Sequence, residues 1–412
     1  KIQDDAVTTD KILDDAVTAD KLANSINTEI AANTAKVTNA THTGDVTGAT
    51  ALTIAADAVT PAKMADSAYL ANRNMIINGA MQVSQRGTSE ASLAFTSYGY
   101  FKAPDRFRTS IEVGTWTVSQ SSEAPEGFAN SYKFDCTTLD ASPTAAYSNK
   151  LAIRAEAQDL QNLKYGTANA ETVTLSFWVR SAKTGIYIVE LRHGETSISN
   201  SIAYTISVAD TWEKKELSFS GYVTTAINND NGVGLYIYFW LVAGSDYTSG
   251  TLAPNTWQST AANKAVGQVN LADSTSNDWH ITGVQFEIGG TATPFEHKTF
   301  GQELAACQRY YEKVTTGSTG GGYSSTHFVT MFQWMTPKRV APTLTQGGVL
   351  SITKFGVLDY TQSSMSMSIN GAGRNDTMGA QLHFGNFSSL TGDTPHGINI
   401  DTTFYIKCDA EL

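Results

Sequence analysis

The first residues carry a short unit written almost twice over. Lys1–Asp10 reads KIQDDAVTTD, Lys11–Asp20 reads KILDDAVTAD, and Lys21 opens a third copy as KLANSI. A looser version returns at Ala56–Asp66 as AADAVTPAKMAD. The apolar positions Ile2, Val7, Ile12, Val17 and Leu22 fall five residues apart. That spacing matches neither the period of a helix nor that of a strand, so each copy reads as an extended unit with a turn. One copy buries about two branched side chains, worth roughly 1.5–3 kcal/mol each when fully covered. Ordering its backbone costs roughly 1–2 kcal/mol per residue. A single copy therefore cannot fold by itself. A disordered linker would satisfy that balance, and the Asp, Thr and Ala content suits one. A linker, however, has no reason to keep Ile and Val in register. The preferred reading is an oligomeric stalk in which several chains share one apolar stripe.

At 412 residues the chain is long enough for two ordinary domains and an extension. A net charge of −11 without any basic cluster argues against nucleic acid as a partner. Membrane insertion is not expected, because no apolar run reaches the roughly eighteen residues of a span, and no signal peptide is recognisable. Cys136, Cys307 and Cys408 are far apart, each in an apolar or strand-like stretch. They are expected to be reduced core residues of a protein made in a reducing compartment. No cofactor or metal site is expected from the scattered His and Cys positions.

Four stretches differ in texture: 1–73, repeat and stalk; 74–299, strand-rich; 300–315, helical in pattern; and 316–412, strand-rich again after the glycine run at Gly317–Gly322. In the second stretch, strands are predicted at Thr172–Ala182, Gly185–His193, Gly234–Gly244 and Asp278–Gly289, with others at Thr115–Ser119, Tyr132–Thr137 and Lys214–Ser220. Alternation in SFWVR sends Phe177 and Val179 to one face and Ser176, Trp178 and Arg180 to the other. Trp178, Phe239 and Trp240, lying inside strands, are read as core. Strands without intervening helices point to an antiparallel sandwich of jelly-roll size.

Several segments together carry a resemblance. NRNMIINGAMQVSQRGT (Asn72–Thr88), APDRF (Ala103–Phe107), TLSFWVRSAKTG (Thr174–Gly185) and ITGVQFEIGGTATPFEHK (Ile281–Lys298) resemble the sandwich modules of bacteriophage tail-fibre, receptor-binding proteins. Those modules look like carbohydrate-binding jelly rolls. THTGDVTGATALTI (Thr41–Ile54), the DDAVTTDKI repeats, ELAACQRYYEK, TPKRVAPTLT and the terminal DAEL resemble fibre sequence as well. The resemblance implies a virion fibre, usually a homotrimer, that contacts the host surface, with a virion attachment point expected upstream of Lys1.

Thr299 followed by Gln302 fits a capping box, and Leu304, Cys307, Tyr311 and Val314 form one apolar stripe. That stripe could face a threefold axis or the preceding sandwich. Beyond it, strands are predicted at His327–Pro337, Arg339–Thr345, Ser364–Asn370, Gly379–Phe387 and Thr403–Leu412, forming a small sandwich with no cleavable chaperone tail after it. The expected class is therefore all-β: extended trimeric repeat stalk, jelly-roll sandwich, short connecting helix and C-terminal small sandwich.

Catalysis is not expected. Glycoside cleavage needs two carboxylates about 5–10 Å apart. Glu287 with Glu296 reads as a structural sandwich edge, and Glu123 with Glu126 lacks a positioned partner. His193, His280, His297 and His327 show no metal-like spacing, and there is no Gly-x-Ser-x-Gly elbow or β-helix rung repeat. A non-catalytic sugar site wants aromatics with polar neighbours. The candidates are the loop aromatics Tyr247, Trp257, Tyr323 and Phe387. The function expected is host recognition and attachment by a homotrimeric virion fibre that binds cell-surface polysaccharide and joins other virion proteins through its N-terminal side. It would be made in the bacterial cytoplasm. The alternatives are a purely structural fibre or spacer, or a polysaccharide depolymerase.

Overall fold

The computed structural model describes residues 24–37, 46–47, 53–54, 72–95, 100–315, 319–348, 350–354, 358–362, 367–368, 376–385, 395–399 and 404–412. The chain divides into two units, Lys1–Tyr69 and Leu70–Leu412. The stripe positions Ile2, Val7, Ile12, Val17 and Leu22 lie outside the described residues. In the first unit a helix, α1 (Asn24–Val37), begins within the third copy of the repeat. The sequence reading placed no helix here. After Leu22 the apolar spacing changes from five to four, setting Ile26 and Ile30 on one helical face. Both are exposed, at 45% and 52%. A short antiparallel hairpin, β1 (Val46–Thr47) with β2 (Thr53–Ile54), follows.

The second unit opens with the strands β3 (Ser89–Leu93), β4 (Tyr100–Phe101), β5 (Phe107–Ser110), β6 (Thr115–Ser121), β7 (Ser131–Thr138), β8 (Ser148–Glu156), β9 (Val173–Ser181), β10 (Gly185–His193), β11 (Ser199–Ile206), β12 (Glu213–Phe219), β13 (Val233–Ala243) and β14 (Asp278–Ile288). A four-residue helix, α2 (Ser245–Thr248), lies between the last two. They make two six-stranded antiparallel sheets, ordered β11-β10-β13-β8-β5-β4 and β12-β9-β14-β7-β6-β3. The inner faces meet in an aromatic core that includes Trp116, Tyr132, Phe134, Phe177, Phe239 and Trp279, all fully buried. Phe177 of β9 meets Phe239 of β13 edge to face at 5.1 Å, tying one sheet to the other. Phe177 and Val179 point inward as their alternation predicts, while Trp178 and Arg180 stand half-buried on the outside.

The helix α3 (Phe300–Gln308) has the predicted capping box: Thr299 N donates to Gln302 Oε1 at 2.9 Å and Gln302 N to Thr299 Oγ1 at 3.4 Å. It is shorter than the expected 300–315. Arg309 turns to the sandwich, and β15 (Tyr311–Val314) pairs with the last strand of the chain. Its buried face is Glu303 and Cys307 rather than the full predicted stripe, and Leu304 is only partly covered. Glu303 Oε2 accepts from Asn78 N at 2.7 Å, so this face packs on the opening loop of the sandwich.

The rest of the chain comprises β16 (Thr319–Ser324), β17 (His327–Gln333), β18 (Thr343–Gly347), β19 (Leu350–Lys354), β20 (Leu358–Gln362), β21 (Met367–Ser368), β22 (Gly379–Phe384), β23 (Pro395–Asn399) and β24 (Tyr405–Asp409). The sheets run β15-β24-β18 and β20-β19-β23-β16-β17-β22-β21. Phe328, Phe332, Trp334, Leu382, Phe384, Phe404 and Ile406 are part of a separate core. This module joins the sandwich through charge: Arg106 pairs with Glu411, Arg86 Nη1 lies 3.3 Å from Glu411 Oε1, and Arg339 Nη1 donates to Asn231 O at 2.5 Å.

Candidate ligand-binding face

On the outer face of the sheet containing β13, side chains fall into register rows. Arg192 of β10 lies opposite Tyr236 of β13, which lies opposite Arg154 of β8. The next row is Glu190, Tyr238 and Ala152. Ser199 and Ser201 of the edge strand β11 continue these rows, opposite Arg192 and Glu190. Period-two alternation puts this polar and aromatic set on one side of strands whose other side, Leu235, Ile237 and Phe239, is core.

Tyr236 and Tyr238 are half-buried and parallel, with centroids 5.6 Å apart and planes 7° apart. The Arg154 and Arg192 guanidinium carbons stand 5.4 and 5.3 Å from the Tyr236 ring. Burial pushes the Tyr238 phenol up to about 12, with Arg192 pulling the other way. Arg154 donates to the Leu412 main-chain oxygen. The side-chain Nε atoms of Arg154 and Arg192 and the hydroxyls of Ser199 and Ser201 are buried without a protein hydrogen-bond partner. Ser199 and Ser201 are at most 2% exposed, so their hydroxyls are enclosed by the protein and out of reach of a ligand on the face.

Trp240, read from sequence as core, is fully buried but on this outer face. What covers it is the segment after β13, which lays Tyr247 at 5.0 Å and contributes Leu252 and Ala265 to the same apolar cluster. Trp240 Nε1 donates to Glu190 Oε2 at 3.1 Å, and Lys264 from the covering segment sits 3.1 Å from Glu190 Oε1. Lys150, 4.0 Å above Trp240, has its ammonium held below the usual lysine range by burial, against the pull of Glu190. This end of the face is closed; the tyrosine end is partly open.

The predicted aromatics are scattered. Tyr247 reaches the closed end, where its hydroxyl donates to Ala146 O at 3.1 Å. Trp257 is wedged against Tyr222 and Tyr165, its indole donating to Ser220 O at 2.8 Å. Tyr323 is 69% exposed on the C-terminal module beside His383. Phe387 lies outside the described residues. Tyr236, Tyr238, Arg154, Arg192 and Glu190 are not among the residues expected from the sequence. Their signal was the LYIYFW alternation of β13, with charged residues interrupting the apolar neighbours ELRH and KLAIRAE.

Of the four carboxylates considered as catalysts, Glu287, Glu296 and Glu123 are engaged in the scaffold, and Glu126 stands exposed in its loop. Glu287, 2% exposed, accepts from Thr293 N at 2.9 Å and Thr293 Oγ1 at 2.6 Å. Glu296 accepts from Asn72 N and Asn74 N at 2.5 and 2.8 Å, and Glu123 lies 3.1 Å from Arg180. One triad-like arrangement exists: Ser131 Oγ is 3.2 Å from His280 Nδ1, and His280 Nε2 is 3.4 Å from Asp278. Ser131 is fully buried and donates to Glu123 O at 2.6 Å, so its hydroxyl cannot meet a substrate. Among the described residues, no group of three His, Cys, Asp or Glu side chains could hold a metal ion. Nor is any described helix long and apolar enough to cross a membrane.

No family model and no curated protein matches the chain. Solved structures overlap parts of it. The enzymatically active domain of tailspike protein 4 of bacteriophage CBA120 is 12% identical, with a TM-score of 0.26, over 52% of this chain and 21% of that one. A putative sugar binding protein from Bacteroides thetaiotaomicron is 11% identical, with a TM-score of 0.27, over 53% of this chain and all of that one. The family 11 carbohydrate-binding module of a Clostridium thermocellum cellulosomal cellulase is 11% identical, with a TM-score of 0.22, over 54% and 97%.

Proposed function

We propose that this chain is a homotrimeric fibre protein of a phage particle that attaches to its host by binding cell-surface glycan, without cleaving it, on the face carrying Tyr236 and Tyr238. The observation that carries the binding role is the pair of half-buried parallel tyrosines set among arginines. Apolar rings suit the C–H faces of a sugar, and the surrounding donors suit its hydroxyls. The fibre role is supported by the repeat, which cannot fold as one copy, and by the fibre-like segments spread along the sequence. Exposed Ile26 and Ile30 on one face of α1 suit packing between chains. A millimolar site supplies only about 4 kcal/mol, and three sites per trimer would raise effective affinity by roughly 10²–10⁴.

The test is a glycan panel probed with the full-length chain and with Tyr236→Ala and Tyr238→Ala. Loss of glycan retention in both variants, with unchanged thermal melting, is the expected result. Retention unchanged by either substitution would remove this face from the function. Light scattering should give the mass of three chains, and a monomer would sink the stalk. Released reducing ends would make the chain a depolymerase instead.

A further inference from the structure

Resting on that reading, we infer that the glycan is acidic: the face takes a saccharide bearing a carboxylate, and Arg192 receives it. The chain as a whole is strongly acidic, with a net charge of −11, yet this face gathers cations. Glu190, in the row next to Arg192, is already occupied by Lys264 and the Trp240 indole. That leaves Arg192 beside Tyr236 within ion-pair distance of no carboxylate among the described residues, while Arg154 on the other side already donates to the main-chain oxygen of Leu412, the last residue. A cation partly withdrawn from water and left without an anion is costly, and an anion on the ligand removes that cost.

Geometry supports the same class. The Arg192 guanidinium carbon sits 5.3 Å from the Tyr236 ring. A pyranose lying against Tyr236 would therefore place a ring substituent within reach of Arg192. An arginine fork meets a carboxylate through two parallel hydrogen bonds. A phosphate would present similar chemistry to the arginine, so the test must separate the two sources.

The experiment measures full-length chain against immobilised oligogalacturonate, oligoguluronate, hyaluronan oligomers and sialyllactose, each paired with its carboxyl-reduced form, plus a phosphorylated oligomannose. At least one acidic member should bind, and its reduced partner should bind about ten- to a hundred-fold more weakly, the loss of hydrogen bonds to a charged group. Arg192→Gln should lose a similar factor for the acidic member only, Arg192→Lys should recover part of it, and added salt should weaken binding. Both variants should melt like the parent. Equal binding to acidic and reduced forms, binding only to the phosphorylated probe, or no effect of Arg192→Gln would overturn the acidic assignment. In those cases a loss in Tyr236→Ala would still uphold the face as the glycan site. Retention of none of the probes would overturn both.

Discussion

Arg309, the residue that closes helix α3, donates from Nη2 to Glu156 Oε1 at 2.7 Å, across the joint between the helix and the sandwich. The neighbouring Tyr310 hydroxyl donates to the other carboxylate oxygen at 2.6 Å, and Gln158 Nε2 donates to Oε1 at 2.6 Å. The Glu156 side chain is completely enclosed, whereas that of Arg309 keeps 31% of its surface. This cluster ends the helix: the arginine and tyrosine must both face the sandwich, and the backbone then leaves as β15.

Glu156→Ala should therefore cost about 3–5 kcal/mol, because removing one partner of a buried pair strands the others. Urea unfolding followed by far-ultraviolet circular dichroism reads the change. A shift within about 0.5 kcal/mol, typical of a surface site, would mean that the joint does not depend on this carboxylate.

Asp105 gives the joint a pH dependence. Burial raises its carboxyl from 3.8 to about 6, against Arg86 and the Gln85 hydrogen bonds, with Glu411 adding to the rise. The folded chain thus binds this proton more tightly than the unfolded chain does. The contribution to stability grows as pH falls from about 6 to about 4, stays constant below that, and is lost as pH rises through 6. Asp105→Asn, which imitates the protonated form, should gain on the parent between pH 4 and 7 by on the order of 2–3 kcal/mol. Urea midpoints at several pH values measure it, and a difference that does not vary with pH would contradict the account.

Much of the sandwich was legible because its strands alternate cleanly. The Gly185–His193 strand has the boundaries read from its pattern, and Phe177 and Val179 face inward as the period requires. The strand Ser148–Glu156 was missed, since Lys150, Arg154 and Glu156 break up an otherwise apolar run, and each of them serves the outer face or the joint. The ligand face was hidden for a related reason. Arg192, Tyr236 and Arg154 become neighbours only through the register of three strands, and register is a property of pairing rather than of any one segment. The loop aromatics therefore include Tyr247 at the closed end but not the strand tyrosines Tyr236 and Tyr238.

The cysteines should be chemically silent in the native chain. All three are free and buried. Burial pushes the thiols of Cys136 and Cys408 up to about 11 and 12, with Asp135 and Glu312 adding to the respective rises, and lifts that of Cys307 well above its ordinary value. Since the thiolate is the reactive form, a thiol-specific chromogenic reagent at pH 8 should react with none before denaturant is added and with three afterwards. Prompt reaction of Cys307 would show that α3 leaves its seat.

Glu190 should be the strut of the closed end. It is 1% exposed and holds both Trp240 Nε1 and Lys264, so it fastens the covering segment to the sheet beneath. Glu190→Ala leaves a buried indole N–H without its acceptor and a lysine without its anion, at a cost of about 3 kcal/mol. The loss should appear first in the cover. Limited proteolysis should cut the variant between Gly250 and Gly267 under conditions that leave the parent intact. Glu190→Gln keeps an acceptor for the indole but loses the charge, so it should fall between the two. Equal resistance in all three proteins would mean that the cover is held by Tyr247 and Leu252 alone.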